Sequence, residues 1–264
     1  MLEFEGIYGT ARVWINGALA TVNRNGYMGF SVDLKPWICY GQENLIKIDV
    51  DNSNQPNSRW YTGSGIYRDV NLWTGKGVYI PHDEMKITTL SVNDDVAVVE
   101  VCANVKNTKE CGIEAKCYVE LIFEGKTVVT EKQNIVFYSG RKETVRVQIP
   151  VKCPKKWSTD HPNLYQCCVK TYIGDEICDE YTVDFGIRTL TLDPVNGFQI
   201  NGETVNLRGT CIHHDNGVIG AETFPEAEWY RCKRLKEAGF NAIRSSHHPM
   251  SRAMLDACDH LGML

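Results

Sequence analysis

The sequence predicts a multidomain protein in which two β-sandwiches are followed by the beginning of a parallel βα domain. The first observation is a series of short runs, over residues 1–80 and 81–186, in which apolar and polar residues alternate with the period of a strand. The second is a change, from about residue 187, to strands that alternate with amphipathic helices. The third is size, because 264 residues with 43% hydrophobic content can bury more than one core.

In the first zone, residues 1–80, strand signals surround one long polar loop. Ala11–Ile15 alternates and runs into Asn16-Gly17, which predicts a two-residue hairpin because both central residues of a type I′ turn need positive φ. Asn44–Val50 also alternates, and Val70–Trp73 is predicted to form a further strand. Between them, Asp51–Gly65 is a polar loop of a length usually kept for function.

The second zone, residues 81–186, is predicted to be all β. Its alternating runs and intervening turns predict a sandwich, but the Cys…Trp…Cys pattern of antibody domains is missing, so the residues imply the architecture alone. A turn is predicted at Glu124–Lys126, and Pro150 is expected to end the last of these strands because proline cannot donate a ladder hydrogen bond. The runs are Val96–Val101, Cys117–Phe123 and Thr144–Ile149.

The third zone, residues 187–264, alternates strands with helices. Two strands are predicted over Val205–Ile212 and Asn241–Ser245, and two helices over Thr223–Gly239 and Ser251–His260. Two such units cannot close an eight-stranded barrel, which needs about 250 residues. The sequence is therefore expected to be a fragment whose βα domain continues past Leu264.

Both predicted helices have start or stop signals. Thr223 and Glu226 have the spacing of a capping box, Pro225 stands in the first turn and Gly239 follows the last turn. Apolar residues at helical spacing are expected to face the core of the first helix, namely Trp229, Cys232 and Leu235. The second helix is expected to stop at Gly262 and has the apolar residues Met254, Leu255, Cys258 and Leu261.

Composition excludes several classes of function. With a net charge of -5 and no basic cluster larger than Lys155-Lys156, the chain is not expected to bind nucleic acid. No apolar stretch approaches the roughly 18 residues that would span a bilayer, and no signal peptide is visible, so a cytoplasmic protein is predicted. The eleven cysteines are odd in number and scattered, which favours reduced, buried thiols over a disulfide framework or a zinc site.

The candidate functional residues follow the two predicted parallel strands. Parallel βα units place functional groups at the carboxyl ends of their strands, and those ends hold His213-His214-Asp215 and Arg244–Pro249. One alternative is a set of loop histidines bonded to backbone. A metal site is disfavoured because adjacent histidines point to opposite faces, so each pair offers one inward ligand at best. Nucleophilic catalysis by Ser245 or Ser246 is disfavoured because no G-x-S-x-G elbow surrounds them.

A second candidate is the run from Ser58 to Asp69, which combines aromatic residues, arginines and glycines. As a packing loop it would bury Trp60 and Ile66 and pair Arg68 with Asp69. As a functional loop it would form an aromatic platform for a sugar or a wall of a neighbouring domain's pocket. Periodicity leaves both alternatives open.

At these residues the sequence resembles glycoside hydrolase family 2, the family of β-galactosidases, β-glucuronidases and β-mannosidases. The resemblance runs through nearly the whole chain in the family's domain order. It implies an N-terminally truncated sugar-binding jelly roll over residues 1–80, an immunoglobulin-like sandwich over 81–186 and the first two βα units of a TIM barrel over 187–264. The motifs that carry it are Arg59–Tyr61, Ser64–Val70, Trp157 with Pro162 and Leu164-Tyr165, Phe185–Arg188, Asn201-Gly202, Leu207–Thr210 and Asn241–Pro249.

The resemblance also implies a role for three residues. His213 and His247 would line the sugar subsite, and Arg244 would hydrogen-bond the nucleophilic carboxylate. The family's two catalytic glutamates lie on later barrel strands, so no catalytic carboxylate is expected within this chain. A retaining glycosidase needs two carboxyls about 5–5.5 Å apart, and we predict that the chain alone hydrolyses nothing.

The chain is therefore expected to be part of a retaining exo-β-glycosidase. Within the family the sequence motifs most resemble those of β-galactosidases, which hydrolyse terminal β-D-galactosides. β-Glucuronidase or β-mannosidase activity is the alternative. A different class of function, a stand-alone carbohydrate-binding β-sandwich, would leave the two helices and the strand-end histidines without a purpose. A carbohydrate substrate is the expected partner, together with a possible homo-oligomer of the longer enzyme, and neither a cofactor nor a metal ion is expected.

Overall fold

The computed structural model of the protein describes residues 1–54 and 58–264. The chain divides into two compact units. The first unit combines residues 1–74 with 208–258 and 263–264, and the second consists of residues 75–207 and 259–262. No helix in the part of the chain that the structure describes is long and apolar enough to cross a membrane. The boundaries that the sequence predicts after residues 80 and 186 stay predictions.

The first unit begins with small antiparallel sheets. β5-β1-β8 and β4-β3-β6 are three-stranded, and β2 pairs with β7. Alternate residues of β3 are fully buried (Ala11, Val13 and Ile15), which confirms the strand period seen in the sequence. The strands are β1 (Leu2–Phe4), β2 (Ile7–Tyr8), β3 (Thr10–Ile15), β4 (Ala18–Asn23), β5 (Phe30–Val32), β6 (Ile46–Asp51), β7 (Gly65–Ile66) and β8 (Val70–Leu72).

The turn after β3 is the predicted hairpin. Asn16 and Gly17 have φ of 50° and 83°, as a type I′ turn requires, and β4 begins at the next residue. β6 begins at Ile46 and not at Asn44, because the Asn44 side chain accepts hydrogen bonds from the Asn16 amide and the Cys39 backbone N–H. That side chain closes a loop ahead of the strand. Of the predicted loop Asp51–Gly65, residues 55–57 lie outside the described part.

Most of the second unit is a pair of antiparallel sheets around one core. The sheets have the orders β10-β11-β14, with β9 also paired to β11, and β13-β12-β15-β16. The buried residues of both sheets form one hydrophobic cluster, as in a β-sandwich. The strands are β9 (Val78–Tyr79), β10 (Met85–Val92), β11 (Val96–Asn107), β12 (Ile113–Phe123), β13 (Lys126–Phe137), β14 (Lys142–Lys152), β15 (Tyr165–Ile173) and β16 (Glu176–Phe185).

Two details of this sandwich test the predictions. The turn after β12 is confirmed, since Glu124 and Gly125 have positive φ and β13 starts at Lys126. The expectation that Pro150 ends a strand is wrong, because Pro150 lies inside β14 opposite Val98. β14 is at the end of its sheet order, and an edge strand tolerates proline since one side of its backbone needs no partner.

The remaining part of the second unit surrounds Trp157, which is fully buried. Its indole nitrogen donates to the Asp259 carbonyl oxygen at 2.8 Å, and the Arg188 guanidinium lies 4.3 Å from the ring centroid. Gly186 packs so closely that a Cβ there would come within 2.6 Å of the Trp157 Cβ. A small sheet follows, of β17 (Leu190–Asp193), β18 (Gly197–Ile200) and β19 (Glu203–Thr204).

The last segment supplies the parallel pair. It contains β20 (Gly209–Ile212), a 3₁₀ turn (Gly217–Ile219), α1 (Pro225–Glu237), β21 (Ala242–Ser245) and α2 (Arg252–Leu261). β20 and β21 run parallel in the register Gly209 to Ala242 through Ile212 to Ser245. The predicted strand over Val205–Ile212 is too long at its start, because the Val205 backbone N–H donates to Phe198 in the small sheet.

The structure corrects both predicted helices. The residue that precedes α1 is Phe224, in extended conformation and without a side-chain cap, so the capping box of Thr223 and Glu226 is wrong. The Thr223 hydroxyl donates to the Ala221 carbonyl oxygen instead. Trp229 is 41% exposed, because α1 turns Glu228 and Cys232 inward, and in α2 Leu255 is 55% exposed. Pro225 at the first helical position is confirmed, as are Gly239 and Gly262 with positive φ after the helices.

Candidate functional site

The site lies in the first unit, where β20 and β21 end side by side. Because the strands are parallel, the residues that follow them, His213-His214 and Ser246–His248, leave the sheet at the same edge. Residues 58–64, which precede β7, reach the same place through Trp60. The tip of the segment between β4 and β5 reaches it through Tyr27. Six of the aromatic and imidazole rings at these strand ends form two groups of three.

The first group, which we name the front tier, consists of Trp60, His213 and His247. The Trp60 indole stacks on the His213 ring with centroids 5.3 Å apart and an interplanar angle of 18°. His247 is exposed and presents its edge to both partners, at 5.2 Å from Trp60 and 5.9 Å from His213. The two histidines predicted to act together are thus brought together, and Trp60 joins them.

The second group, the back tier, consists of Tyr27, His214 and His248. His214 and His248 are only 3% and 7% exposed, and their rings share a hydrogen bond from Nδ1 to Nε2 of 2.9 Å. Tyr27 stacks on His248 with centroids 4.4 Å apart at 9°, and meets His214 at 5.5 Å. The Trp60 indole N–H donates to the Tyr27 hydroxyl at 3.1 Å, so one hydrogen bond joins the tiers.

Burial keeps the back tier uncharged at neutral pH. It lowers the pKa of His214 to about 4 and also lowers the pKa of His248, and it raises the pKa of Tyr27 to about 12. The tier therefore consists of two neutral imidazoles and a neutral phenol. The sequence-based expectation that adjacent histidines point to opposite faces is confirmed, because each His-His pair divides between the tiers.

Two arginines hold the backbone around the tiers. Arg68, which is buried, donates to the carbonyl oxygen of Pro249 at 2.9 Å and to that of Tyr27 at 3.4 Å. Arg231 of α1 donates to the carbonyl oxygens of His213 at 2.7 Å and Asp215 at 3.1 Å. Glu228, only 2% exposed, faces Arg231 at 3.3 Å. Arg231 thus holds the backbone of the loop after β20, and Arg68 holds that of the loop after β21.

The packing alternative for the loop Ser58–Asp69 is wrong in its details. Ile66 is 42% exposed, and the buried residues are its neighbours Tyr67 and Arg68. Arg68 bonds the carbonyl oxygens of other loops, as described above, and Trp60 is half-buried beneath His213. The loop is therefore a wall of the candidate site. The sequence pattern left this role open as one of two alternatives for the loop, and it placed Trp60 by name only in the packing alternative.

Arg244 lies one residue before the end of β21, opposite Cys211 of β20, and belongs to neither tier. Its guanidinium is exposed, and Nη1 lies 3.7 Å from the Cys211 sulfur. Tyr27 and Arg231 were not predicted, because nothing in the local pattern around either residue signals a site. His214 and His248 were predicted only as members of the His-His pairs, without a role of their own.

Comparison with known proteins identifies the chain's family. The fold consists of β-sandwich segments followed by parallel βα units, and the candidate site lies at the polar ends of the parallel strands. The family model of the glycosyl hydrolases family 2 matches residues 78–188, and the model of that family's TIM barrel domain matches residues 194–264. The chain belongs to glycosyl hydrolases family 2. The second match supports the predicted start of a TIM barrel, whereas the jelly-roll and immunoglobulin-like assignments stay predictions.

Relatives that are named for different activities match the chain. A β-galactosidase of Bacteroides ovatus is 36% identical over the whole chain, and the chain spans 31% of that relative's length. A β-glucuronidase of Bacteroides fragilis is 27% identical over the whole chain, and the chain spans 39% of its length. A solved family 2 structure from Bacteroides cellulosilyticus is 38% identical with a TM-score of 0.96, covering all of this chain and 36% of the other. A β-glucuronidase structure from Bacteroides uniformis is 28% identical with a TM-score of 0.92, and the match covers this chain fully and 33% of that one. The chain thus spans about a third of the relatives it matches.

Proposed function

We propose that the chain contributes the sugar-binding part of a retaining β-glycosidase, with β-galactosidase as the expected activity. The front tier of Trp60, His213 and His247 carries the proposal. It combines a flat indole surface with two imidazoles whose nitrogens donate or accept hydrogen bonds. A pyranose ring has an apolar C–H face and a rim of hydroxyls, so this set of groups suits it.

The state of His213 supports a ligand at this place. Its Nδ1 atom is enclosed, and within residues 1–54 and 58–264 no hydrogen-bond partner reaches it. Unpaired buried polar atoms are rare in folded proteins, and a role in a functional site is one explanation for them. A sugar hydroxyl at the front tier would satisfy such an atom directly or through water.

In this proposal Arg244 acts beside the nucleophile. Retaining hydrolysis needs one carboxyl that attacks the anomeric carbon and one that protonates the leaving group and later activates water. Both belong, in this proposal, to residues outside 1–264. The exposed guanidinium of Arg244, near the end of β21, would donate two hydrogen bonds to the nucleophilic carboxylate. This pairing would keep the carboxylate ionised and oriented.

β-Glucuronidase activity is the second candidate, because relatives of both names match the chain fully. A glucuronide differs from a galactoside at C4 and by a carboxylate, and a carboxylate is bound best by an arginine or a lysine, neither of which belongs to the front tier. This difference favours the galactoside. Homo-oligomerisation of the longer protein and a cytoplasmic location remain predictions.

The proposal is tested with p-nitrophenyl β-D-galactoside, β-D-glucuronide and β-D-mannoside, and with two proteins, the complete gene product and the 264-residue chain. We expect the complete product to release nitrophenol fastest from the galactoside, with a first product that retains the β configuration by proton NMR. The 264-residue chain should release none, because it lacks the carboxyl pair. A complete product that hydrolyses none of the three, or that inverts the configuration, contradicts the proposal. A faster glucuronide selects the second candidate.

A further inference from the structure

The two loops that carry the front-tier histidines are joined behind them by one direct side-chain bond. His214 follows His213, and His248 follows His247, so each back-tier imidazole is one residue from a front-tier imidazole. Neighbouring Cα atoms are about 3.8 Å apart, and a displaced back-tier ring therefore displaces the front-tier residue beside it. We infer that His214 and His248 are a positioning pair, whose N–H···N hydrogen bond sets the places of His213 and His247 against Trp60. The inference rests on the proposed function insofar as the front tier binds sugar.

The protons of the pair define that bond. His214 Nε2 lies 3.2 Å from the Thr62 carbonyl oxygen, and His248 Nδ1 lies 3.3 Å from the Pro249 carbonyl oxygen. A neutral pair carries two ring protons. One of them must lie between the rings, because two lone pairs facing each other at 2.9 Å would repel, and the other goes to one of the carbonyl oxygens. Either tautomer leaves a single N–H···N bond between the loops.

The surroundings of the pair favour the neutral form and fix the rings. The Tyr27 ring covers His248 face to face, and the Tyr67 ring lies 5.4 Å from His214 at 54°. Arg68 is the cation that acts on both imidazoles, and it opposes a positive charge on either one. Asp215 acts on His214 in the opposite sense, but burial outweighs it. Both rings are almost fully buried, so the bond lies in surroundings of low dielectric constant, where a hydrogen bond is strong.

A second route connects the pair to the front tier. Tyr27, which stacks on His248, accepts the Trp60 indole N–H at 3.1 Å. The Ser245 hydroxyl donates to the carbonyl oxygen of His248, which ties the loop to the end of β21. Movement of His248 would thus reach His247 along the chain and Trp60 through Tyr27. A histidine that only filled the core would need neither the N–H···N bond nor this connection.

The first test compares two replacements of His248 in the complete gene product. His248→Phe keeps a ring of similar size beneath Tyr27 but removes the hydrogen bond, whereas His248→Gln places an amide donor where Nε2 was. For the galactoside we expect kcat/KM to fall at least tenfold in H248F, mostly through KM, and to stay within threefold of the wild type in H248Q. His161→Phe, at an exposed position outside the site, is the matched control and should leave kcat/KM unchanged. Equal kcat/KM for H248F and wild type, or equal losses in H248F and H248Q, would overturn the inference.

The second test does not depend on activity, and its main measurement uses the wild-type chain. In the 264-residue chain with ¹⁵N-labelled histidine, we expect a through-bond coupling between His214 Nδ1 and His248 Nε2 and one strongly downfield imidazole proton. If the coupling is missing in the folded wild-type chain, the positioning pair is refuted whatever the kinetics show. If the complete product hydrolyses no glycoside, the proposed function fails, and the coupling together with the shift of the Trp60 indole proton in H248F still decides the inference. An unchanged Trp60 indole shift in folded H248F overturns it.

Discussion

Arg231 anchors the loop after β20, and its contacts determine what its replacement should cost. It donates to two carbonyl oxygens of the loop after β20, those of His213 and Asp215, and it faces the Glu228 carboxylate. Arg231→Met keeps the length and the apolar stem of the side chain but removes all of these bonds. The Glu228 carboxylate then stays buried, with only Asn216 at 3.0 Å from its Oε1 among the hydrogen bonds described.

The expected cost follows from burial. Removing one partner of a buried ion pair costs about 3–5 kcal/mol, because the other charge is left uncompensated. The side chains of Arg231 and Glu228 are 21% and 3% exposed, so water reaches the arginine in part. We therefore expect the lower end, about 3 kcal/mol of unfolding free energy. Arg234→Met on the same helix is the matched control, since Arg234 and Glu237 have the same spacing but are 63% and 46% exposed. Exposed pairs contribute about 0–1 kcal/mol.

The assay is urea unfolding of the 264-residue chain, followed by far-UV circular dichroism, for the wild type and both variants. R231M should shift the midpoint of the transition that includes α1 well below that of R234M. It should also speed hydrogen exchange in the loop after β20, because the His213 carbonyl loses its anchor. If R231M and R234M have unfolding free energies within about 1 kcal/mol of each other, the account of Arg231 as a buried anchor is refuted.

Three further predictions concern other parts of the molecule. Trp60→Ala in the complete gene product should raise KM for the galactoside about two- to twelvefold, since an aromatic stack contributes about 0.5–1.5 kcal/mol, and an unchanged KM would exclude Trp60 from the subsite. His214 has a folded pKa of about 4 against 6.5 unfolded, so the unfolded chain binds more protons between these values. The contribution of His214 to the free energy of unfolding, on the order of 3 kcal/mol, should be complete above pH 6.5 and be lost as the pH falls towards 4. If the unfolding free energy of His214→Gln has the same pH slope as that of the wild type, this prediction is contradicted. Gly186→Ala should destabilise the second unit by about 1–3 kcal/mol by crowding Trp157, whereas Gly112→Ala, with an ordinary 3.8 Å contact, should be neutral in the same thermal melts.

Local patterns predicted those elements whose physics is local. The Asn16-Gly17 turn follows from the need for positive φ, and the strand period of β3 follows from one buried face. The position of the two His-His pairs followed from the rule that parallel strands gather function at their carboxyl ends, whereas the choice of His213 and His247 within them rested on the family resemblance. The capping box failed because its spacing is necessary but not sufficient. Thr223 is held by Tyr67 and Ala221, so the helix starts after Phe224.

The parts that the sequence did not predict depend on contacts between distant segments. Tyr27 lies far from His248 in the chain, and nothing in its neighbourhood distinguishes it from a surface tyrosine until the stack is seen. Arg231 resembles any polar residue of an amphipathic helix, and its role depends on which face of α1 turns inward. The helical period correctly predicted Cys232 on that face, but it also predicted Trp229 there, and the other buried residue is Glu228. Buried polar networks of this kind follow from tertiary packing and not from periodicity.

The central claim is that the ends of β20 and β21 form part of a glycosidase site, and Arg244 tests it most directly. The measurement is kcat for the aryl β-galactoside in the complete gene product and in Arg244→Ala, with the melting temperature of both proteins. Loss of a preorganised charged partner of the nucleophile costs about 3–4 kcal/mol, so we expect kcat to fall about 10²–10³-fold with little change in melting temperature. A kcat within about threefold of the wild type, or a variant that unfolds, would contradict the claim and make Arg244 a structural residue.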